Sequence, residues 1–124
     1  MNETDVREWQ TLASHDIETA DLLIKQKGHA DIIIYHIHQA VEKLLKALLM
    51  KANKPFEKTH FLDKLLAQLL ADYPSLSEVK DEILEINLYL PKLRYPSGDR
   101  IEFDEAVTIY NEFLHINKVI QALV

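Results

Sequence analysis

Residues 35–48 read Tyr-His-Ile-His-Gln-Ala-Val-Glu-Lys-Leu-Leu-Lys-Ala-Leu, and this stretch decides the fold. Its Ile, Ala, Val and Leu residues cover most of the circumference of a helix, which predicts a helix in the centre of a bundle. Four polar residues lie along one side of this helix, namely His36, Gln39, Lys43 and Lys46. At about 100° per residue they fall within a sector of roughly 80°. Such a polar stripe predicts the wall of a cleft.

Apolar residues recur at steps of three and four on both sides of this stretch, and sparse glycine and proline separate the repeats. The pattern predicts five helices. They cover residues 3–27, 29–51 and 60–71, a segment from about 77 to 90 that ends at Pro91, and a segment from about 104 to the C-terminus. No segment alternates with a period of two for long enough to indicate a sheet. Because most connections are short, we predict an all-α fold, an up-and-down antiparallel bundle of four long helices plus one short helix.

Residues typical of helix ends mark these boundaries. Gly28 is a plausible stop for the first helix, and Asn53-Lys54-Pro55 ends the second. Thr59 is the expected N-terminal cap of the third helix and Asp104 that of the last. Residues 75–78, Ser-Leu-Ser-Glu, have the spacing of a capping box at the start of the fourth helix.

Length and composition set the broad class of protein. A chain of 124 residues predicts one domain, residues 1–124. The absence of cysteine excludes disulfides, thiolate metal sites and cysteine nucleophiles. The charged N-terminus lacks the pattern of a secretion signal, and no apolar run reaches the ~20 residues of a membrane span. We therefore expect a cytoplasmic protein with no membrane partner.

The charge balance is acidic, with 20 Asp and Glu against 14 Lys and Arg, a formal charge of −6. This argues against broad binding along nucleic acid, which depends on the neutralisation of many phosphates. A local basic cleft remains open, because five lysines cluster in the second quarter of the chain. The alternative is a solvated surface of uneven charge. These lysines are Lys43, Lys46, Lys51, Lys54 and Lys58.

The histidines show no metal-binding pattern. His36 and His38 are two residues apart, about 200° around a helix, so they do not face one ion. No His-Glu-x-x-His run is present, and neither is a Gly-x-Gly-x-x-Gly or P-loop sequence. We predict no metal and no cofactor, and any phosphate site must use side chains.

Two groups of residues suit such a site. The lysines of the polar stripe offer ammonium groups, and its Gln and His offer hydrogen bonds, although the same stripe is also typical of a solvent face. Leu93-Arg94-Tyr95-Pro96 lies where a helix ends, so that Arg94 can bind phosphate in a bidentate manner and Tyr95 can stack on a base. Arg100 follows in the same loop. The alternative for Arg94 is an ion pair that ties the loop to an acidic helix.

Asn87 is predicted on the apolar side of the fourth helix, in line with Ile83, Ile86 and Leu90. A buried Asn needs hydrogen-bond partners. We expect it to fix the helix register or the break at Pro91, with a contact to the cleft as the alternative.

Several fragments together resemble the HEPN family of small helical domains over nearly the whole chain. They are Trp9, Ala13, Asp16, Ala20 and Leu23; Gly28 with Ala30; His36-x-x-Gln39-Ala40-x-Glu42-Lys43-x-x-Lys46-Ala47-Leu48; Thr59-His60-x-Leu62; Tyr89-Leu90-Pro91; and Arg94-Tyr95-Pro96. The resemblance implies a compact helical bundle, commonly a homodimer, that is often encoded beside a small nucleotidyltransferase.

Many HEPN proteins are metal-independent ribonucleases with an Arg, four to six intervening residues and a His, and this sequence departs from that pattern. Where the His should follow Arg94 or Arg100, it has Asp99, Arg100 and Ile101, or Glu105, Ala106 and Val107. The near miss is Arg7 to His15, in the wrong helix. Loss of a general acid or base costs on the order of 10² to 10⁴ in rate, so we predict no catalytic residue.

The leading hypothesis from the sequence is a non-catalytic binding module for a nucleotide or phosphorylated ligand. It acts with a nucleotidyltransferase partner in a two-component, toxin–antitoxin-like system. The candidate binding residues are His36, Gln39, Lys43, Lys46, His60, Arg94, Tyr95 and Arg100. One alternative is a ribonuclease toxin in which Arg94 stabilises phosphate charge and His36 or His60 transfers the proton. The other is a structural dimerisation adaptor without a ligand.

Overall fold

A computed structural model describes residues 3–55, 58–96, 98 and 100–124, and these residues fold as helices without a strand. The prediction of an all-α bundle is confirmed. The helices are α1 (Glu3–Lys25), α2 (Ala30–Lys51), α3 (Leu62–Leu69), a 3₁₀ helix (Pro74–Val79), α4 (Lys80–Leu88), α5 (Leu90–Arg94) and α6 (Phe103–Gln121). Within this part of the chain, no helix combines the length and apolarity needed to cross a bilayer.

The helix α2 is the central element, as residues 35–48 predicted. It packs most extensively against α1 and also contacts α6, α3, α5 and α4. Its Ile, Val, Ala and Leu side chains are buried around most of the helix, from Ile33 to Leu49. The largest side chain of α6 in this core is Phe113, which is fully buried. Burial of the apolar surface of α2 on several sides therefore holds the bundle together.

Both long N-terminal helices end in a Schellman motif. At the end of α1, the backbone N–H of Gly28 donates to the carbonyl of Leu23 at 2.8 Å, and the residue with positive φ is Lys27, at 54°. At the end of α2, the corresponding donor is Lys54, and Asn53 has a φ of 60°. Gly28 thus follows the left-handed residue, and a Cβ there would lie 2.7 Å from Leu23 Cδ2. The close contact with Leu23 explains why a glycine occupies position 28. A left-handed backbone does not explain it, because the residue with positive φ is Lys27.

The predicted fourth long helix is divided, so the bundle has three long helices. A 3₁₀ turn that starts at Pro74 occupies its first part, α4 spans nine residues, and Pro91 lies in the first turn of the separate short helix α5. The expected capping box at 75–78 is not formed, because neither the 3₁₀ helix nor α4 has a side-chain cap. Proline fixes the first turn of each short helix and lacks an N–H donor, which interrupts one continuous α-helix.

Two other expected caps are displaced. The helix α6 begins after Glu102 and has no side-chain cap, so Asp104 lies in its first turn. The Thr59 hydroxyl accepts from the backbone N–H of Phe61 at 3.1 Å, one residue before α3 begins. Carboxylates in a first turn still interact favourably with the helix dipole.

Asn87 takes the place of a local cap for α3. Its Oδ1 accepts from the backbone N–H of Leu62 at 2.8 Å, and its Nδ2 donates to Asp63 Oδ1 at 3.2 Å. The expected structural hydrogen bond of Asn87 is therefore formed, and it joins α4 to the start of α3. The backbone N–H groups in the first turn of a helix have no acceptor within that helix. For Leu62 the acceptor is supplied by Asn87 of the neighbouring helix α4.

Candidate functional site

The polar stripe of α2 meets a buried carboxylate that projects from α1. Asp16 Oδ1 accepts from His36 Nδ1 at 2.8 Å, and Asp16 Oδ2 accepts from Lys43 Nζ at 2.5 Å. Asp16 is 8% exposed because α1 packs its Ala13 and Ala20 against α2 on either side of it. One carboxylate thus holds one imidazole and one ammonium group of the stripe.

A second buried carboxylate repeats this arrangement on the other side of the stripe. Glu42 Oε1 accepts from His60 Nδ1 at 3.1 Å, and Glu42 Oε2 accepts from Lys46 Nζ at 2.9 Å. Glu42 and Lys46 are 4% and 7% exposed. The ammonium group of Lys46 also lies 5.4 Å from the centroid of the Trp9 ring, a cation–π distance. His60 is brought to this cluster by the segment that precedes α3.

We call these residues the charge-paired strip: Asp16, His36, Gln39, Glu42, Lys43, Lys46 and His60. Its two lysines are balanced by two carboxylates, so the strip has little net positive charge when its histidines are neutral. Gln39 is half-buried and forms no hydrogen bond with a described residue. The sequence predicted that this stripe forms the wall of a cleft, and in the structure both of its lysines are paired with carboxylates.

The tautomers of the two histidines follow from these contacts. An ionised carboxylate only accepts hydrogen bonds, so the Nδ1 atoms of His36 and His60 carry protons. In each neutral imidazole the lone pair then lies on Nε2. Both side chains retain solvent exposure, about 25% for His36 and 51% for His60. The strip therefore presents two oriented proton acceptors.

His38 lies on the same helix but is fully buried, and neither ring nitrogen has a hydrogen-bond partner among the described residues. Burial lowers its pKa to about 4, against the opposing effect of Glu42, whose Oε1 lies 4.0 Å from His38 Nδ1. Electrostatic interaction with His60 and with the guanidinium of Arg94 lowers the pKa of His38 further. His38 is therefore a neutral core residue at neutral pH, and Arg94 is close to this side of α2.

Tyr95 and Arg100 lie elsewhere, at a cavity of about 620 Å³ between the starts of α2 and α6 and the end of α5. We call it the loop cavity. His29 and Lys92 also line it, and Tyr95 is 70% exposed. Arg100 Nε lies 3.6 Å from Glu102 Oε1, with both side chains largely exposed. A pair of this kind is weak and open to competition by a ligand.

The eight predicted residues are thus divided among three positions. His36, Gln39, Lys43, Lys46 and His60 lie in the charge-paired strip, Tyr95 and Arg100 line the loop cavity, and Arg94 lies near His38. Arg94 is exposed and forms no ion pair with a described residue. In the part of the chain that the structure describes, no group of three or more His, Asp or Glu is arranged to hold a metal ion.

Sequence reasoning missed the role of Asp16 as the centre of a cluster. The pair Glu42 to Lys46 has i,i+4 spacing and was readable from the sequence. Asp16 is 20 residues from His36 and 27 from Lys43, so no local pattern predicts its contacts. The available signal was a single Asp between alanines on the apolar face of α1.

A third group of carboxylates lies between α4 and α6. Burial and the neighbouring carboxylates of Glu85 and Glu82 raise the pKa of Glu112 to about 7. One carboxyl oxygen of Glu112 is buried without a partner among the described residues. The Nδ1 atom of His115 lies 3.3 Å from Glu82 Oε2. This cluster has no lysine partner comparable to those of Asp16 and Glu42.

Comparison with protein families gives a match over nearly the whole chain. Residues 6–121 match the family model of the HEPN domain. The chain belongs to the HEPN family. The match extends from the first turns of α1 to the last residue of α6, so it includes the charge-paired strip and the loop cavity of this HEPN domain. Comparison with curated proteins and with solved structures gave no match.

Proposed function

We propose that this HEPN domain is a non-catalytic binding module for a nucleotide or a related phosphorylated ligand. The observation that carries the proposal is the loop cavity, whose volume of about 620 Å³ lies within the roughly 300–1,000 Å³ of small-molecule sites. An exposed aromatic ring, Tyr95, and two cationic side chains, Lys92 and Arg100, line it together with the acidic Asp31 and Glu102. The ring of Tyr95 can stack on a base, and the guanidinium of Arg100 can make bidentate contacts to phosphate.

The loop cavity supports phosphate binding better than the charge-paired strip does. In the strip, each lysine is bonded to a buried carboxylate, whose negative charge offsets the positive charge that a phosphate would meet. In the cavity, the contact of Arg100 with Glu102 is long and exposed. We therefore place the phosphates of the ligand at Arg100 and its base at Tyr95, and we assign the strip a supporting role.

The partners are part of the same proposal. We propose a homodimer that works with a small nucleotidyltransferase in a two-component, toxin–antitoxin-like system. Ile32 and Tyr35 support an interface on α2, because both are exposed on the solvent side of the helix that is otherwise the most buried. Exposed apolar groups that lie together mark interaction surfaces.

The binding proposal is tested by isothermal titration calorimetry and thermal denaturation with ATP, other nucleoside triphosphates and inorganic phosphate. A ligand that binds the folded state raises the unfolding midpoint in a concentration-dependent manner. We expect Arg100→Ala to weaken binding about tenfold, the loss of one charge-assisted contact. The matched control is Arg7→Ala, an exposed arginine on α1 whose pair with Glu3 is also weak.

Equal effects of Arg100→Ala and Arg7→Ala would contradict the assignment of the loop cavity. Absence of binding by every nucleotide tested would contradict the module itself and favour a dimerisation adaptor. Co-purification of a nucleotidyltransferase with this chain would then identify the partner directly.

A second candidate function, a metal-independent ribonuclease, is favoured by the bond between Asp16 and His36. That bond leaves His36 Nε2 as a proton acceptor, as a general base requires. The test is cleavage of single-stranded RNA in the presence of EDTA. Loss of cleavage with both His36→Gln and Arg94→Ala would support a ribonuclease, and an unchanged rate in either variant would exclude this assignment.

A further inference from the structure

The ring of His36, like that of His60, is held by a buried carboxylate that also binds a lysine. Its Nδ1 donates to Asp16 at 2.8 Å, and Asp16 is itself held by Lys43 at 2.5 Å. His36 Nε2 has no hydrogen-bond partner among the described residues, and the side chain is about one quarter exposed. The ring is therefore oriented by its Nδ1–H bond, and in the neutral form of the ring the lone pair lies on the accessible Nε2.

A carboxylate at Nδ1 makes Nε2 a better nucleophile. When Nε2 attacks an electrophile, positive charge develops on the imidazole ring, and the Asp16 carboxylate stabilises it through the Nδ1–H bond. Asp16 is buried, so the interaction acts in surroundings of lower dielectric than water. This is the arrangement of an activated nucleophile with an orienting group.

The residues beside His36 suit a phosphoryl group. Gln39 and Lys43 follow at i+3 and i+7 on the same stripe of α2, and side chains of a helix lean toward its N-terminus. The half-buried amide of Gln39 and the partly exposed ammonium of Lys43 are hydrogen-bond donors for phosphoryl oxygens. His60 lacks such a neighbour, because the lysine of its cluster, Lys46, is buried beside Trp9.

We propose that His36 is a phosphoacceptor that takes a phosphoryl group at Nε2. The donor is a small phosphorylated molecule with a good leaving group, of the class of nucleoside triphosphates or phosphoramidates. The inference goes beyond reversible ligand binding, and it does not depend on the loop cavity.

The step balances without a further reactant. The lone pair of Nε2 forms a bond to phosphorus while the bond from phosphorus to the leaving group breaks, and the leaving group takes that electron pair. Because Nε2 carries no proton, none has to be removed. The Nδ1 proton stays in the bond to Asp16. With phosphoramidate, the leaving group is ammonia. The nitrogen of phosphoramidate is already protonated, so ammonia leaves with the electron pair of the broken bond and needs no further proton.

The test uses potassium phosphoramidate with the full chain at pH 7.5, with phosphohistidine followed at each site by mass spectrometry under neutral conditions. His15 and His29 are internal controls, because both are exposed and neither has a carboxylate bonded to its ring among the described residues. We expect His36 to react about tenfold faster than either control, despite its lower exposure. A rate for His36 at or below those of His15 and His29 would overturn the proposal.

Asp16→Asn provides the second readout. Asparagine keeps an oxygen that accepts from Nδ1, but it removes the charge, so labelling of His36 should fall about tenfold while labelling of His15 and His29 stays unchanged. Equal labelling of His36 with and without this carboxylate would also overturn the proposal. Circular dichroism shows whether the Asp16→Asn variant is folded. If the variant does not fold, the comparison of His36 with His15 and His29 in the unaltered chain still tests the proposal.

Discussion

Carboxylates that are wholly or partly buried cluster in two regions of this molecule, and their surroundings are opposite. In the charge-paired strip, Asp16 and Glu42 each bind one lysine and one histidine. Between α4 and α6, Glu112 meets Glu85 and Glu82, and its pKa rises to about 7. The same type of side chain is therefore paired with cations in one region and lies among like charges in the other. Like charges and burial favour the neutral acid, as at Glu112.

The largest expected effect is the removal of a carboxylate from the strip. Glu42→Ala leaves the buried ammonium of Lys46 without its carboxylate and His60 without its acceptor. Breaking a buried ion pair by removing one member costs about 3 kcal/mol or more. We expect a loss of this size in urea denaturation at pH 7. The matched control is Glu18→Ala, at an exposed glutamate of α1, which should change stability by less than about 0.5 kcal/mol.

A loss for Glu42→Ala as small as that for Glu18→Ala would mean that the strip does not stabilise the bundle. The comparison between the two regions would then fail at its first step, because the paired carboxylates would be no more important than exposed ones.

The opposite sign is expected between α4 and α6. Glu112→Gln replaces a half-buried carboxylate among like charges by a neutral amide of similar shape. At pH 8 we expect a gain of about 1 kcal/mol, a value reduced for the solvent exposure of the group. At pH 4.5 the gain should vanish, because Glu112 is protonated in the folded state there. The measurement is urea denaturation at both pH values, with Glu78→Gln on the exposed 3₁₀ helix as control.

A gain that is the same at both pH values would show that packing, and not charge, is the cause. A loss at pH 8 would show that the Glu112 carboxylate is stabilised by contacts other than those with Glu82 and Glu85.

The central helix α2 and the divided fourth helix show how much of the fold the sequence predicts. The apolar circumference of residues 35–48 identified α2 as central, because burial on several sides requires it. The break of the fourth helix was not predicted. Pro74 and Pro91 were visible, but the choice between one bent helix and three short ones depends on packing against α2 and α6.

The candidate site was predictable as residue types and not as pairs. The stripe from His36 to Lys46 was readable because it lies on one helix. Its charge balance was not, because Asp16 comes from another helix and neutralises Lys43 only after α1 and α2 have packed. The separation of Arg100 and Tyr95 from the stripe likewise follows from the positions of α5 and α6. Local spacing carries no information on such distant contacts.

The smallest expected effect is a slope in the pH dependence of stability, and it requires both His38 and Glu112. The pKa of His38 is lowered to about 4, so between pH 4 and 6.5 the unfolded chain binds more protons at this residue, and stability rises with pH. The pKa of Glu112 is raised to about 7 from 4.5, so between pH 4.5 and 7 the folded chain binds more protons, and stability falls as pH rises. In the overlap from pH 4.5 to 6.5, the two contributions oppose each other.

Single variants separate the two slopes. With Glu112→Gln only the His38 contribution remains, and stability should rise more steeply than in the unaltered chain between pH 4.5 and 6.5. With His38→Leu only the Glu112 contribution remains, and the difference in slope should have the opposite sign. Each group contributes less than about 1.4 kcal/mol per pH unit, so the free energy of unfolding must be measured at several pH values. Slopes that change in the same direction in both variants would contradict the opposed roles of the buried histidine and the carboxylates between α4 and α6. Opposite changes would establish that this bundle carries two titrating groups, His38 and Glu112, whose burial shifts their pKa values in opposite directions, so that their effects on stability oppose each other.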